Sequence, residues 1–209
     1  AEEAANLSDL YDYAKARCGQ EPLATLLSAA GLSPSEAAEV LQAKSGGKFL
    51  YAVKVLNDLA SGALKLPSRQ ALEALPPGMD GFYEDTFRRR FPEAGDYDAV
   101  KPLLALLCAQ REPMGYQQLA AILQQSVDQI GRCLQPLEDL LRFRQPPEAE
   151  AAFSSSDDWR ISFDHASLEQ WLTERSGDKF PRARAGRFAV DRAAAAQQIH
   201  TWALAEVQA

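Results

Sequence analysis

Histidines, cysteines and long apolar runs are all scarce in this sequence, and each scarcity removes a class of function. Two histidines, His165 and His200, in 209 residues leave little from which to build a metal cluster or a serine or cysteine triad. No CxxC and no HExxH pattern occurs. Cys18, Cys108 and Cys133 stand far apart and fit neither a zinc spacing nor a disulfide framework, which predicts reduced thiols and a cytoplasmic setting. No apolar run nears the ~20 residues of a membrane span, and no signal peptide opens the chain, so no membrane partner is expected. Cations are outnumbered as well: 22 Lys and Arg against 29 Asp and Glu give a net charge of -7. Affinity for nucleic acid rests on neutralising phosphates, so the balance argues against a dedicated nucleic-acid binder.

What remains is ordinary globular composition, 46% hydrophobic and 24% charged, rich in alanine and leucine and poor in β-branched residues. That predicts a mainly helical protein. The opening AEEAANLSDLYDYAKAR already reads as helix, and its first residue is alanine, which predicts that the chain is cut from something longer. Ser33-Pro34-Ser35-Glu36 is a capping box with proline at the first helical position. The helix it starts should stop at Gly46-Gly47. In the next helix Phe49, Ala52, Val53, Leu56 and Leu59 share one face, while Lys54, Asn57, Asp58 and Ser61 form the polar one, and Gly62 ends it. A short helix over 69–75, the turn Pro76-Pro77-Gly78 and a helix over 80–91 follow.

Beyond Pro92 the pattern becomes three helices and then strands. Residues 99–108 are nearly all apolar, and 116–123 place Leu119, Ile122 and Leu123 inward. Ser126 caps a third helix in which Val127, Ile130, Leu134, Leu137 and Leu141 recur at helical spacing. Arg142-Phe143-Arg144 and residues 159–163 read as strands flanking a polar hairpin tip. Three helices followed by a hairpin is the winged helix-turn-helix arrangement. The third helix of such a fold can enter a DNA groove, but here it displays Asp128, Gln129, Arg132, Gln135, Glu138 and Asp139. The hairpin tip adds Glu148, Glu150, Asp157 and Asp158, with only Arg142 and Arg144 in compensation. Acids on both contact elements repel phosphates, so the domain is expected to pack against protein and not to bind nucleic acid.

No complete catalytic machinery is present. Ser45-Gly46-Gly47-Lys48-Phe49 falls short of the phosphate loop GxxxxGK[ST], which needs glycine where Gln42 stands and serine or threonine where Phe49 stands. The chain alone should therefore not hydrolyse nucleotide. His200 reads as a structural or surface residue. His165 lies between the end of a strand and the start of a helix, where an imidazole can point into a cleft and donate to phosphate oxygens. The basic run Arg175, Lys179, Arg182, Arg184, Arg187 and Arg192 reads as a solvated or interdomain face.

Several segments, in order, resemble one family. Residues 45–52, SGGKFLYA, resemble the "SGGNFLYA" segment in the lid of STAND-class NTPases, the NACHT and NB-ARC signalling ATPases. Residues 75–83 resemble their "LPxGLxGLY", and 103–119 resemble the "LLALLAAAREPLTxxxLA" opening of their winged helix. Residues 161–172, ISFDHASLEQWL, resemble the "FxHxSLxxWL" element, and 186–191 resemble the "GRFxVD" that precedes the next helical domain.

The resemblance implies three segments: a helical lid and connecting region over 1–92, a winged-helix domain over 93–176, and over 177–209 a linker with the first helix of a following helical domain. It implies that Gly47 and Phe49 lie near the adenine of ADP or ATP, although NB-ARC members place proline where Phe49 stands. It further implies that His165 contacts the β-phosphate of ADP and holds a closed, inactive form. Exchange for ATP would then free the winged helix and let the opened protein assemble with copies of itself. An upstream P-loop NTPase domain, which would supply the magnesium site, and a downstream repeat domain are the partners implied in the parent chain. Two rival readings remain, a DNA-binding regulator and a protein-interaction scaffold that uses no nucleotide.

Overall fold

The computed structural model describes residues 2–66, 68–145, 159–176 and 182–208. The chain is mainly helical, with a small three-stranded antiparallel sheet, and it divides into two compact units, 1–86 and 87–209.

The first unit holds α1 (Glu2–Cys18), α2 (Leu23–Ala29), α3 (Pro34–Ser45), α4 (Phe49–Ser61), α5 (Arg69–Glu73) and the start of α6 (Gly78–Arg90). Local chemistry sets the boundaries. The Ser33 hydroxyl accepts from the Glu36 amide while the Glu36 carboxylate accepts from the Ser33 amide, a closed capping box that satisfies two otherwise orphaned donors. Left-handed Gly46 ends α3 and left-handed Gly62 ends α4. The core is built from Leu10, Ala14, Leu41, Tyr51, Leu56 and Leu59, all buried. Gly81 is required by close approach: a Cβ there would sit 2.7 Å from the Cβ of Pro76.

One sequence expectation fails in this unit. Lys54 and Asp58, assigned to the polar face of α4, are 8% and 4% exposed, and both are engaged by partners. The helix is packed by α1, α2 and α3, so more than one of its faces is covered, and buried charges persist only when partnered.

The second unit begins inside α6 at Phe87. Its ring lies within 5.1–6.1 Å of the rings of Trp171, Phe188, Phe91 and Tyr97 in tilted or edge-to-face contact, arrangements that suit the quadrupoles of aromatic rings. This cluster draws the end of α6 into the second unit, so the division falls earlier than the break read at Pro92. It also draws in Phe188, and the last helix packs along α7 and α8. By its contacts the stretch read as a separate third segment, where described, thus belongs to the second unit.

That unit contains α7 (Ala94–Ala109), β1 (Met114–Gly115), α8 (Tyr116–Leu123), α9 (Val127–Leu134), a 3-10 turn (Gln135–Leu140), β2 (Leu141–Arg144), β3 (Arg160–Phe163) and α10 (Ala166–Thr173). A two-stranded pair, β4 (Arg175–Ser176) with β5 (Arg182–Ala183), and a 3-10 turn (Gly186–Phe188) lead to α11 (Arg192–Gln208). The sheet order is β1-β3-β2, with Leu141 opposite Phe163 and Arg144 opposite Arg160.

The third helix is shorter than its apolar spacing predicts. It ends at Leu134 and tightens into the 3-10 turn at Pro136, whose ring supplies no amide hydrogen to continue an α-helix. Leu137 is buried from that turn and Leu141 from a strand, while Val127, expected inward, is 45% exposed at the first turn of α9. Arg90 fixes the turn from α6: it donates to the Pro136 carbonyl at 2.6 Å and to both carboxylate oxygens of Asp139 at 2.6 and 2.8 Å.

Candidate functional site

The turn before α4 is held from all sides. Gly46 and Gly47 take φ of +57° and +76°, a region that costs L side chains about 1–2 kcal/mol. The Ser45 hydroxyl donates to the Gln42 carbonyl at 2.8 Å and accepts the Gly47 amide at 3.1 Å. The Gly47 carbonyl accepts from Asn6 Nδ2 at 2.8 Å, so α1 clamps the turn. Both backbone polar groups of Gly47 are therefore used within the unit. The Phe49 ring is half-buried, 5.9 Å from the ring of Tyr13.

His165 belongs to the second unit and is the N-cap of α10. Its Nδ1 accepts the Ser167 amide at 3.1 Å and lies 2.8 Å from the Ser167 hydroxyl. A backbone N–H can only donate, so Nδ1 carries a lone pair and the proton of the neutral ring sits on Nε2. The ring is exposed, and Nε2 is left as an outward donor. The backbone on its strand side is fixed too: the Asp164 amide donates to the Leu140 carbonyl at 3.0 Å. Arg142 donates to the Asp164 carbonyl at 3.3 Å and to its carboxylate at 3.2 Å. What this arrangement can do is hold one neutral imidazole donor in a defined direction beside a helix N-terminus, where oxyanions are favoured.

Several charges fall otherwise than the sequence suggested. Arg142, counted as compensation for acids in a duplex reading, is engaged by Asp164. Asp139 is neutralised by Arg90, so the exposed surface of α9 and its following turn is less acidic than expected; Asp128, Glu138 and Arg132 remain exposed on it. Glu148, Glu150, Asp157, Asp158 and Lys179 lie outside the described residues. In the basic run, Arg184 pairs with Glu174 at 2.6 Å and Arg192 with Glu169 at 3.1 Å. Arg187 donates to the Phe91 carbonyl at 2.7 Å and lies 4.6 Å from the centre of the Phe188 ring. These three arginines are used inside the second unit.

Burial disfavours the thiolate at all three cysteines. Burial pushes Cys18 up to about 11 and Cys108 up to about 12 from 9.0, and raises Cys133 as well, so the reactive thiolate is suppressed at neutral pH. Among the described residues no group of three or more His, Cys, Asp or Glu side chains is placed to hold a metal ion, and no helix is long and apolar enough to cross a membrane.

The sequence did not point to a cleft of about 900 Å³ in the second unit, lined among others by Arg111, Arg144, Arg160, Ile199, His200 and Trp202. Opposed positions on two strands and one side of a distant helix build it. The only local signal was the alternation that sets Arg142 and Arg144 on one face of β2.

No family model, curated protein or solved structure matches this chain.

Proposed function

We propose that this chain is the lid and winged-helix arm of a STAND-type signalling ATPase, which senses whether ADP or ATP is bound and holds the parent protein closed in the ADP state. The observation that carries the reading is the His165 ring, tied through Nδ1 as a helix cap and left with Nε2 as an outward donor. A donor fixed before the ligand arrives loses little freedom on binding, and a hydrogen bond to a charged oxygen contributes about 1.5–3 kcal/mol. A contact of that size biases a two-state switch when only one state makes it.

The element order supports the winged-helix part of the reading. Three helices, α7, α8 and α9, are followed by the β2–β3 hairpin, and β1, between the first two helices, pairs with β3. The turn at Gly47 supports the adenine contact in a restricted way. Its amide and carbonyl are already satisfied, so a base would meet bare glycine backbone and the Phe49 ring by van der Waals contact. ADP, ATP and magnesium would be held chiefly by the upstream P-loop domain of the parent protein, which would also supply any hydrolysis.

The test uses the parent protein with its NTPase domain. His165→Asn keeps an N-cap acceptor and replaces the Nε2 donor with an amide N–H on a shorter side chain that does not reach the Nε2 position, whereas His165→Ala removes both. Both variants should release ADP roughly tenfold faster and shift towards the assembled form. ADP release and oligomeric state that match the unsubstituted protein in both variants would rule the reading out.

A further inference from the structure

The cleft in the second unit has a composition at odds with the rest of the chain. The protein carries a net charge of -7, yet among the described residues three arginines, Arg111, Arg144 and Arg160, line one cavity beside one acid, Glu112. Arg144 and Arg160 are Cα partners across β2 and β3. Residues directly opposite across antiparallel strands project to the same face, and like charges so placed destabilise the pair. The sheet keeps this opposition although neither Arg111 nor Arg144 has an acidic partner among the described residues. Arg160 is held in place, donating to Gln118 Oε1 at 2.6 Å. Gln118 is fixed in turn, because the same oxygen accepts the Gly115 amide at 3.1 Å.

Part of the lining comes from α11, which contributes Ile199, His200 and Trp202. Trp202 Nε1 is buried and has no hydrogen-bond partner among the described residues. An unmet buried donor is uncommon. The cleft thus combines cationic forks with an apolar side that includes Met114, Ile199 and Trp202. Its volume suits a small-molecule ligand with a few convergent polar groups. Guanidinium forks match the oxygens of phosphate in bidentate fashion.

We infer that this cleft binds a small phosphorylated molecule, with its phosphate on Arg111, Arg144 and Arg160 and an apolar or planar portion against Met114, Ile199 and Trp202. The site is separate from His165 and stands whether or not the switch reading holds.

The experiment titrates the 209-residue chain with phenyl phosphate and with inorganic pyrophosphate, read by calorimetry and tryptophan fluorescence, with citrate as a carboxylate control. Phenyl phosphate should bind with a Kd below about 1 mM and more tightly than citrate. Arg144→Ala and Arg111→Ala, both at exposed positions, should each weaken binding roughly tenfold. Trp202→Phe should abolish the fluorescence change. Circular dichroism of each variant separates lost binding from lost fold. The inference is overturned if neither phosphate compound binds in that range, if binding is indifferent to both arginine substitutions in folded protein, or if citrate binds as tightly. Retention of a short DNA duplex with the same arginine dependence would overturn it too, by making the cleft a nucleic-acid contact.

Discussion

The Gly47 turn and the His165 loop are both short connections that launch a helix, yet they spend their polar groups differently. At the turn, Ser45 and Asn6 consume the amide and carbonyl of Gly47, and α4 starts without a side-chain cap from Lys48. At the loop, one side chain caps the helix and keeps a second nitrogen in reserve. Saturation makes the turn a structural joint that a ligand would meet through shape alone. A spare donor makes the loop a place where an oxyanion alters the energy. The same contrast separates Arg142, held by Asp164, from Arg144 two residues later on the same strand, which has no ion-pair partner among the described residues.

The largest expected effect tests whether the thiols belong to packing in both units. Burial pushes the Cys18 and Cys108 thiols up from the ordinary 9.0 to about 11 and about 12 in the folded chain. A raised folded pKa means that the contribution to stability is complete below pH 9.0 and is lost as pH rises through the folded values. Each thiol then removes stability at a rate approaching about 1.4 kcal/mol per pH unit above 9.0. Denaturant unfolding at pH 8 and pH 10.5 should show the loss, and Cys108→Ala should flatten the dependence. Rapid labelling of both thiols in native protein at pH 8 would place them in accessible sites and break the account.

At the turn itself, Gly47→Ala should cost about 1–2 kcal/mol, because alanine is strained at φ +76°. Asn6→Ala should cost about 1 kcal/mol through the lost bond to the Gly47 carbonyl. Both are read from unfolding midpoints. A turn that tolerates both without loss is not a clamped joint, and its contrast with the His165 loop collapses.

What the sequence made legible was chemistry that acts over a few residues. The Ser33 and Ser126 caps, the glycines that end α3 and α4, and the positions of β2 and β3 need only near neighbours. His165 was legible as a strand-to-helix residue for the same reason, although its Nδ1 cap and the support from Arg142 were not. Lys54 and Asp58 were misassigned because a periodic pattern identifies one buried face and says nothing of how many neighbours cover the others. The strand β1 has two residues, too few for any alternation to register. The arginine cleft depends on the register that sets Arg144 against Arg160 and on where α11 packs, both long-range consequences of folding.

The smallest expected effect sharpens the comparison most. If His165 is chiefly a cap, its replacement is a matter of stability; if it is chiefly a donor to ligand, its replacement should scarcely affect the fold. Asparagine is among the best N-cap residues and alanine among the poor ones, with about 1 kcal/mol between them. His165→Asn should therefore unfold at nearly the same denaturant concentration as the unsubstituted chain, and His165→Ala slightly earlier. On the proposed switch reading the two should release ADP alike in the parent protein, because neither carries a donor at the position of Nε2. Release that instead follows the stability order, with asparagine behaving as histidine does, would make capping the whole role of this residue. The loop would then be as closed as the turn at Gly47.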